Sequence, residues 1–162
     1  MMKKLSVIVA ALTLPAALMI PSTAASADQL AGKREVYKCQ VTFAKVIDIG
    51  DSGTSHGDIA VRNGVIRNGK GKELGRFTST QIVVDFDNTR GTEDRQAFIQ
   101  LNLPGGSVML VGTITATQGS APSTPLIYAI SGGTGKYIGA RGTMTSTPLP
   151  APASFNVVLD FV

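Results

Sequence analysis

Apolar and polar residues alternate along most of this chain, with the period of two that β-strands show when they bury one face. The alternation is clear in residues 37–43, 97–103 and 155–161. Beyond the first 27 residues, the sequence lacks the repeating apolar spacing of an amphipathic helix. The pattern predicts an all-β protein with strands at residues 35–48, 57–66, 73–86, 95–103, 107–117, 124–131, 137–146 and 154–162.

Turn-forming residues separate the predicted strands. Asn68-Gly69 and Pro104-Gly105-Gly106 have the composition of tight turns, and the polar residues 87–94 predict a loop. Residues 147–153 contain three prolines, which predict that no central strand runs there, because proline cannot donate a ladder hydrogen bond. Short connections favour antiparallel neighbours, and eight such strands can close a small barrel. An open sandwich of two sheets fits the same periodicity.

The amino-terminal residues differ in character and predict a secretory signal peptide over residues 1–27. Lys3 and Lys4 supply a positive start, an apolar run follows, and Ala25-Ser26-Ala27 provides small residues for cleavage. Pro15 and the short length of the apolar run argue against a membrane anchor. We therefore expect cleavage after Ala27, secretion, and a single domain over residues 28–162 without membrane association.

The composition argues against several classes of function. Removal of the two leader lysines lowers the formal charge from +4 to +2, and no block of like charge remains, so nucleic-acid binding is not expected. Cys39 is the single cysteine, which excludes a disulfide within the chain. With His56 as the single histidine, the chain also lacks the usual zinc ligand set. The alternation around Cys39 predicts a buried, apolar role for its side chain.

The glycine-rich residues 131–143, SGGTGKYIGARGT, form the strongest local motif. They do not match a P-loop, because a tyrosine follows Gly135-Lys136 where serine or threonine is required. They do not match the dinucleotide fingerprint, because the glycine spacing is one residue too long and a predicted strand follows. Glycines in such a run are typical of a tight hairpin turn, and Gly139 and Gly142 predict a bulge or a barrel corner.

With its flanks, this stretch closely resembles the signature of dirigent proteins and, more loosely, that of the related allene oxide cyclases. The matching residues are Gly132-Gly133-Thr134-Gly135-Lys136-Tyr137 and then Ala140-Arg141-Gly142. Weaker matches at Leu74-Gly75-Arg76, at residues 125–130 and in the last strand extend the resemblance over residues 35–162. The Asp-rich segment of the dirigent second strand is missing, since this chain reads Val61-Arg62-Asn63-Gly64 there.

The resemblance implies an eight-stranded antiparallel β-barrel, often a homotrimer, that acts on a small hydrophobic oxygenated molecule without a metal or organic cofactor. Dirigent proteins steer the coupling of phenoxy radicals that a separate oxidase makes. Allene oxide cyclases guide a stereoselective cyclisation, an isomerase reaction. The resemblance also implies catalytic roles for Arg141, in the matching Ala-Arg-Gly, and for Asp48, near an acidic pocket residue of dirigent proteins. The alternatives are a surface arginine and a loop-capping aspartate.

Further polar or polarisable residues on the predicted strands are candidates for substrate binding, because a barrel interior must present some groups to a ligand. They are Tyr128, Gln100, Cys39 and Thr143. Alternation defines two faces of each strand without showing which face is the inner one. A secreted barrel that binds a small ligand or serves structure without chemistry is the alternative function. Polar groups that converge inside the barrel would favour the guided reaction, and a filled or aliphatic interior would favour the alternative.

Overall fold

Eight antiparallel strands follow one another along the chain, and the first pairs with the last to close a barrel. The structure is a computed structural model that describes residues 29–120, 122–150 and 153–162. The predicted signal peptide and its cleavage site lie outside the described residues. The strands are β1 (Arg34–Ile47), β2 (Ile59–Arg67), β3 (Glu73–Asp87), β4 (Thr92–Leu103), β5 (Gly106–Thr117), β6 (Leu126–Gly133), β7 (Gly142–Leu149) and β8 (Ser154–Phe161). The closed order confirms the predicted barrel and excludes the open sandwich.

Alternation decides which side chains face the barrel interior. On β4, Ala97 and Leu101 are buried, whereas the ring of Phe98 between them is 51% exposed on the outer face. On β8, Val157 and Leu159 are buried in the same cluster. The predicted division of these two strands into two faces is therefore confirmed, and the structure identifies the inner face of each, whose apolar side chains form part of one continuous core.

The seventh strand begins later than the sequence predicts. Gly135–Tyr137 forms a short 3₁₀ turn, and β7 begins only at Gly142. The φ angle is +58° at Gly135 and +135° at Gly142, and a Cβ on either glycine would lie 2.0 Å from a backbone carbonyl oxygen of a neighbouring segment. Only glycine allows this approach. The turn directs Tyr137 into the core, where its ring stacks on Phe161 with centroids 5.9 Å apart.

Two segments outside the predicted strands, residues 87–94 and 147–153, are partly strand. β4 begins at Thr92, inside residues 87–94, and Glu93 in this first part of the strand is buried and pairs with Arg95. β7 runs through Pro148, beyond its predicted end at residue 146, but it has one strand neighbour there, which agrees with the prediction that the prolines exclude a central strand. Pro148 is tolerated because β6 pairs with β7 only at residues 142–146, which leaves Pro148 with β8 as its strand neighbour.

The two ends of the barrel are built differently. At the closed end, the turn at residues 134–141 and the β4–β5 hairpin lie over the interior, and Val108, Tyr137 and Phe161 are buried beneath them. The Thr134 side chain joins these segments, because its hydroxyl oxygen accepts a hydrogen bond from the backbone N–H of Ser107 at 3.0 Å. At the open end, described residues of the β1–β2, β5–β6 and β7–β8 connections, among them Gly53, Pro122 and Ala153, line two cavities. Within the described residues, no helix has the length and apolar character needed to cross a membrane.

Candidate functional site

The open end of the barrel contains an apolar cavity of about 390 Å³. Inward-facing side chains of β3, β4, β6, β7 and β8 supply most of its lining, including Phe77, Leu101, Leu126, Met144, Phe155 and Val157. The rings of Phe77 and Phe155 meet edge to face, with centroids 5.8 Å apart. A concave, largely apolar space of this size is suited to a small organic molecule.

Polar groups interrupt the apolar lining along β2 and β3. Arg62 on β2 and Ser79 on β3 are directly paired across the two strands, and Gln81 follows on the same face of β3. The Ser79 side chain is buried, with 6% exposure, and its Oγ has no hydrogen-bond partner among the described residues. A buried hydroxyl without a partner costs free energy, so a ligand atom that bonds to it would be stabilised there.

Tyr128 and Cys39 also line the cavity, and both are held in their neutral forms. Burial raises the pKa of Tyr128 to about 12, although the positive charge of Arg62 acts in the opposite direction. Burial raises the pKa of the Cys39 thiol to about 12 as well. At neutral pH the Tyr128 hydroxyl is therefore a hydrogen-bond donor, and the Cys39 thiol is not activated as a nucleophile.

A second, more polar cavity of about 570 Å³ adjoins the first, and Ala44, Arg62 and Gln81 line both cavities. On its wall, the buried Arg95 pairs with the buried carboxylate of Glu93. Arg95 Nη1 also donates a hydrogen bond to Gln81 Oε1 at 3.3 Å. The charge of Arg95 is thus balanced inside the barrel, and a polar network begins where the apolar lining ends.

The β1–β2 loop beside this second cavity is fixed by Asp58. Its carboxylate accepts hydrogen bonds from the backbone N–H groups of Ile49 at 2.8 Å and Ser55 at 2.9 Å. These bonds hold the pKa of Asp58 below its usual range, although burial acts in the opposite direction. Asp58 therefore serves as a loop anchor. Among the described residues, no three His, Cys, Asp or Glu side chains gather in a group that could hold a metal ion.

The structure separates the residues that the sequence predicts for the site. Tyr128 and Cys39 line the apolar cavity, whereas Asp48, just beyond the end of β1, is exposed and lines the second cavity. Gln100 and Thr143 are exposed on the outer face, because each precedes a buried residue on its strand. Gln100 donates a hydrogen bond to the neighbouring Asn102 side chain at 2.8 Å. Neither Gln100 nor Thr143 lines either of these cavities.

Arg141, the other residue predicted to be catalytic, is exposed where the glycine-rich turn enters β7. Its guanidinium donates hydrogen bonds to the backbone carbonyl groups of Ala140 at 2.8 Å and Ser131 at 3.2 Å. This places Arg141 at the closed end and outside the lining of both cavities. The contacts stabilise the turn, and the catalytic role of Arg141 stays a prediction that its position does not support.

Sequence reasoning missed Arg62, Ser79, Gln81 and the Glu93–Arg95 pair. A signal was available for Arg95, because it stands two residues before Ala97 and therefore lies on the same face of β4 as Ala97 and Leu101. No comparable signal marked Arg62, since its neighbours on the inner face are the small Ala60 and Gly64.

Several solved structures share this barrel fold at low sequence identity. No family model and no curated protein matches this sequence. Among solved structures, a pyocyanin demethylase is 17% identical, with 80% of this chain and 100% of that chain covered and a TM-score of 0.66. A Diels-Alderase from Streptomyces koyangensis is 19% identical, with coverage of 80% and 64% and a TM-score of 0.63. A pterocarpan synthase dirigent protein is 13% identical, with coverage of 80% and 82% and a TM-score of 0.56. The dirigent-type barrel fold implied by the sequence resemblance is therefore confirmed.

Proposed function

We propose that this protein is a secreted, cofactor-free barrel that binds a small hydrophobic oxygenated molecule and guides its stereoselective cyclisation or coupling. The observation that carries the proposal is the apolar cavity of about 390 Å³ with Arg62, Ser79, Gln81 and Tyr128 in its lining. A small barrel without a ligand fills its interior with side chains. Burial of polar groups costs free energy, so several such groups around an open cavity favour a role in recognition or chemistry.

The proteins that share the fold support a ring-forming reaction. A Diels-Alderase and a pterocarpan synthase dirigent protein are both among them. The pyocyanin demethylase in the same group indicates that this barrel accommodates more than one kind of reaction. The choice of cyclisation or coupling therefore rests on the cavity together with these neighbours, and not on the fold alone.

In this proposal the cavity acts mainly by fixing the conformation of its ligand. Apolar walls exclude water and hold the reacting atoms in one arrangement, which removes part of the entropic barrier. Arg62 and the protonated Tyr128 hydroxyl donate hydrogen bonds to a ligand oxygen that gains negative charge as bonds rearrange. A preference of about 1.7 kcal/mol between two mirror-related arrangements would give roughly a 95:5 ratio of products.

The direct test measures the handedness of the products. The chain of residues 28–162 is incubated with coniferyl alcohol and a one-electron oxidase, with a fatty-acid allene oxide, and with a linear trienone that closes by an intramolecular Diels–Alder reaction. Chiral chromatography then gives the enantiomeric excess. We expect an excess in at least one reaction. It should be lost in Met144→Trp, which fills the cavity, and kept in Met109→Trp, whose side chain is exposed on the outer face.

Two results would contradict the proposal. Racemic products in all three reactions would show that the protein does not guide reactions of these substrate classes, and would favour the non-catalytic binding barrel. An excess that persists in Met144→Trp would place the reaction outside the apolar cavity. Circular dichroism spectra of both tryptophan variants establish that the barrel is folded, so that a lost excess is not mistaken for unfolding.

The same proposal includes secretion of the cleaved chain and its assembly into a homotrimer. The amino terminus of protein recovered from the culture medium should begin at Asp28, and analytical ultracentrifugation should give the mass of a homotrimer. Dependence of the coniferyl alcohol reaction on the oxidase would support a separate oxidase partner. A chain retained in the cell with Met1 at its start would contradict secretion, and a monomeric mass would contradict the trimer.

A further inference from the structure

Arg62 is the charged residue in the lining of the apolar cavity. No ion pair among the described residues includes Arg62. Arg95 provides the contrast, because this second inward-facing arginine is paired with Glu93. A guanidinium group remains protonated in proteins. The apolar cavity is therefore lined by one positive charge that has no carboxylate within ion-pair distance among the described residues. Carboxylates do line the adjoining cavity, but Glu93 is paired with Arg95 and Asp58 accepts hydrogen bonds from the β1–β2 loop, while Asp48 is exposed.

The surroundings of Arg62 disfavour its charge. Burial lowers the pKa of Arg62, and repulsion by Arg95 lowers it further, while Tyr128 acts in the opposite direction. An anion placed beside Arg62 would offset both effects, because an opposite charge stabilises the protonated form. A neutral ligand oxygen would accept a hydrogen bond but would leave the charge unbalanced.

Ser79 provides a second and independent observation. It is the direct cross-strand partner of Arg62, so the two side chains leave neighbouring strands on the same face, where Cβ atoms are about 5 Å apart. Its buried hydroxyl lacks a partner among the described residues, as shown above. A carboxylate has two oxygens that accept several hydrogen bonds, and it can bond to a guanidinium and a hydroxyl together.

We propose that Arg62 and Ser79 form an anion subsite, so that the ligand of the apolar cavity is a monocarboxylate whose apolar body lies against Met144, Phe155 and Val157. This anion subsite rests on the proposed function in one respect, which is that both use the apolar cavity. A single negative charge is favoured over a doubly charged phosphate, because Arg62 is the single charged side chain among the described residues that line the apolar cavity, and a second negative charge would be buried there unpaired.

Isothermal titration calorimetry at pH 7 tests the subsite with two probes of equal shape, naphthalene-2-carboxylate and naphthalene-2-carboxamide. We expect the carboxylate to bind roughly 10- to 100-fold more tightly, the range typical of a hydrogen bond to a charged group. Arg62→Met should abolish this preference, and Arg62→Lys should keep part of it. Ser79→Ala should weaken carboxylate binding roughly fivefold. The matched control, Arg76→Met, removes an exposed arginine from β3 and should change neither affinity.

Equal affinity for the two probes in the unaltered protein would overturn the subsite, and so would a preference that survives in Arg62→Met. If inorganic phosphate at the same concentration as the carboxylate competes for binding, the subsite accepts a doubly charged anion, and the preference proposed for a monocarboxylate is overturned. If neither probe binds, the subsite is refuted. The stereochemical assay judges the proposed function separately, because it requires no carboxylate in the substrate.

Discussion

Replacement of Ser79 by alanine should stabilise the protein in the absence of ligand, which is unusual for a substitution at a buried position. The Ser79 hydroxyl is buried without a hydrogen-bond partner among the described residues, and such a group costs about 1–3 kcal/mol. Alanine removes the hydroxyl and leaves the strand in place. We therefore expect the free energy of unfolding to rise by about 1 kcal/mol, the lower end of that range.

Ser107 provides a matched control with the opposite expected sign. It is buried to the same degree, 7% exposed against 6% for Ser79, but its hydroxyl lies 2.9 Å from that of Thr134. Ser107→Ala removes this hydrogen bond and should lower the free energy of unfolding by about 1 kcal/mol. The two substitutions remove the same atom, so the difference between them isolates the effect of the missing partner.

Thermal unfolding followed by circular dichroism measures both effects. The predicted mature chain has 135 residues, 162 less 27, and an unfolding entropy of about 2.1 cal/mol/K per residue gives roughly 0.28 kcal/mol/K. A change of about 1 kcal/mol then shifts Tm by about 3–4 °C, upward for Ser79→Ala and downward for Ser107→Ala. An unchanged or lowered Tm in Ser79→Ala would show that the hydroxyl is already satisfied and would refute the reasoning.

Three further predictions concern the fold and its titrating groups. Gly142→Ala should lower the free energy of unfolding, measured in urea, by about 3 kcal/mol or more, because the alanine Cβ would clash with the Asp160 carbonyl oxygen. Gly69 has open space around it, so the control Gly69→Ala should change the free energy of unfolding by less than about 0.5 kcal/mol. Although burial raises the pKa of Glu35, hydrogen bonds from Tyr37 and Tyr137 and the charge of Lys136 together lower it. The ionised Glu35 carboxylate therefore stabilises the folded protein above the unfolded pKa of about 4.3, and this stabilisation is lost as the pH falls through the lower pKa of the folded state. The urea midpoint of Glu35→Gln should consequently vary less with pH, between about pH 5 and pH 3, than the midpoint of the unaltered protein. The Cys39 thiol, with its pKa raised to about 12, should react with iodoacetamide at pH 8 far more slowly in the folded protein than in urea, and equal rates would contradict its burial.

The barrel was predictable because its information lies in short-range patterns. Alternation gave the two faces of β4 and of β8 without showing which was the inner one, and it placed Tyr128 and Cys39 on strands where the structure shows them lining the cavity. It failed at the end of β1, where the same alternation would group Phe43 with Cys39. A bulge between Val41 and Phe43 turns the ring outward, where it is exposed. One extra residue in a strand exchanges its faces, and the sequence does not mark its position.

The polar part of the site was not predictable for a different reason. Glu93 lies in a charged segment that the sequence predicts as a loop. The spacing of Arg95 from Ala97 indicates its face of β4 but does not reveal its ion pair with Glu93 or the cavity that the pair lines. Arg62 becomes notable only when β2, β3 and β6 are assembled around one cavity. Arg141 shows the opposite problem. The matching Ala-Arg-Gly motif indicated a catalytic role for this residue, but its hydrogen bonds in the structure stabilise a turn.

The central claim is that the apolar cavity is a ligand site, and two methionines allow the most direct test of it. The chain of residues 28–162 contains Met144, which lines the cavity, and Met109, which is exposed on the outer face. With carbon-13 methyl-labelled methionine, the two signals can be followed by NMR during titration with naphthalene-2-carboxylate and, separately, with its carboxamide. We expect the Met144 signal to shift and saturate with at least one probe while the Met109 signal stays in place. A Met144 signal that does not move with either probe, or a shift confined to Met109, would contradict the account.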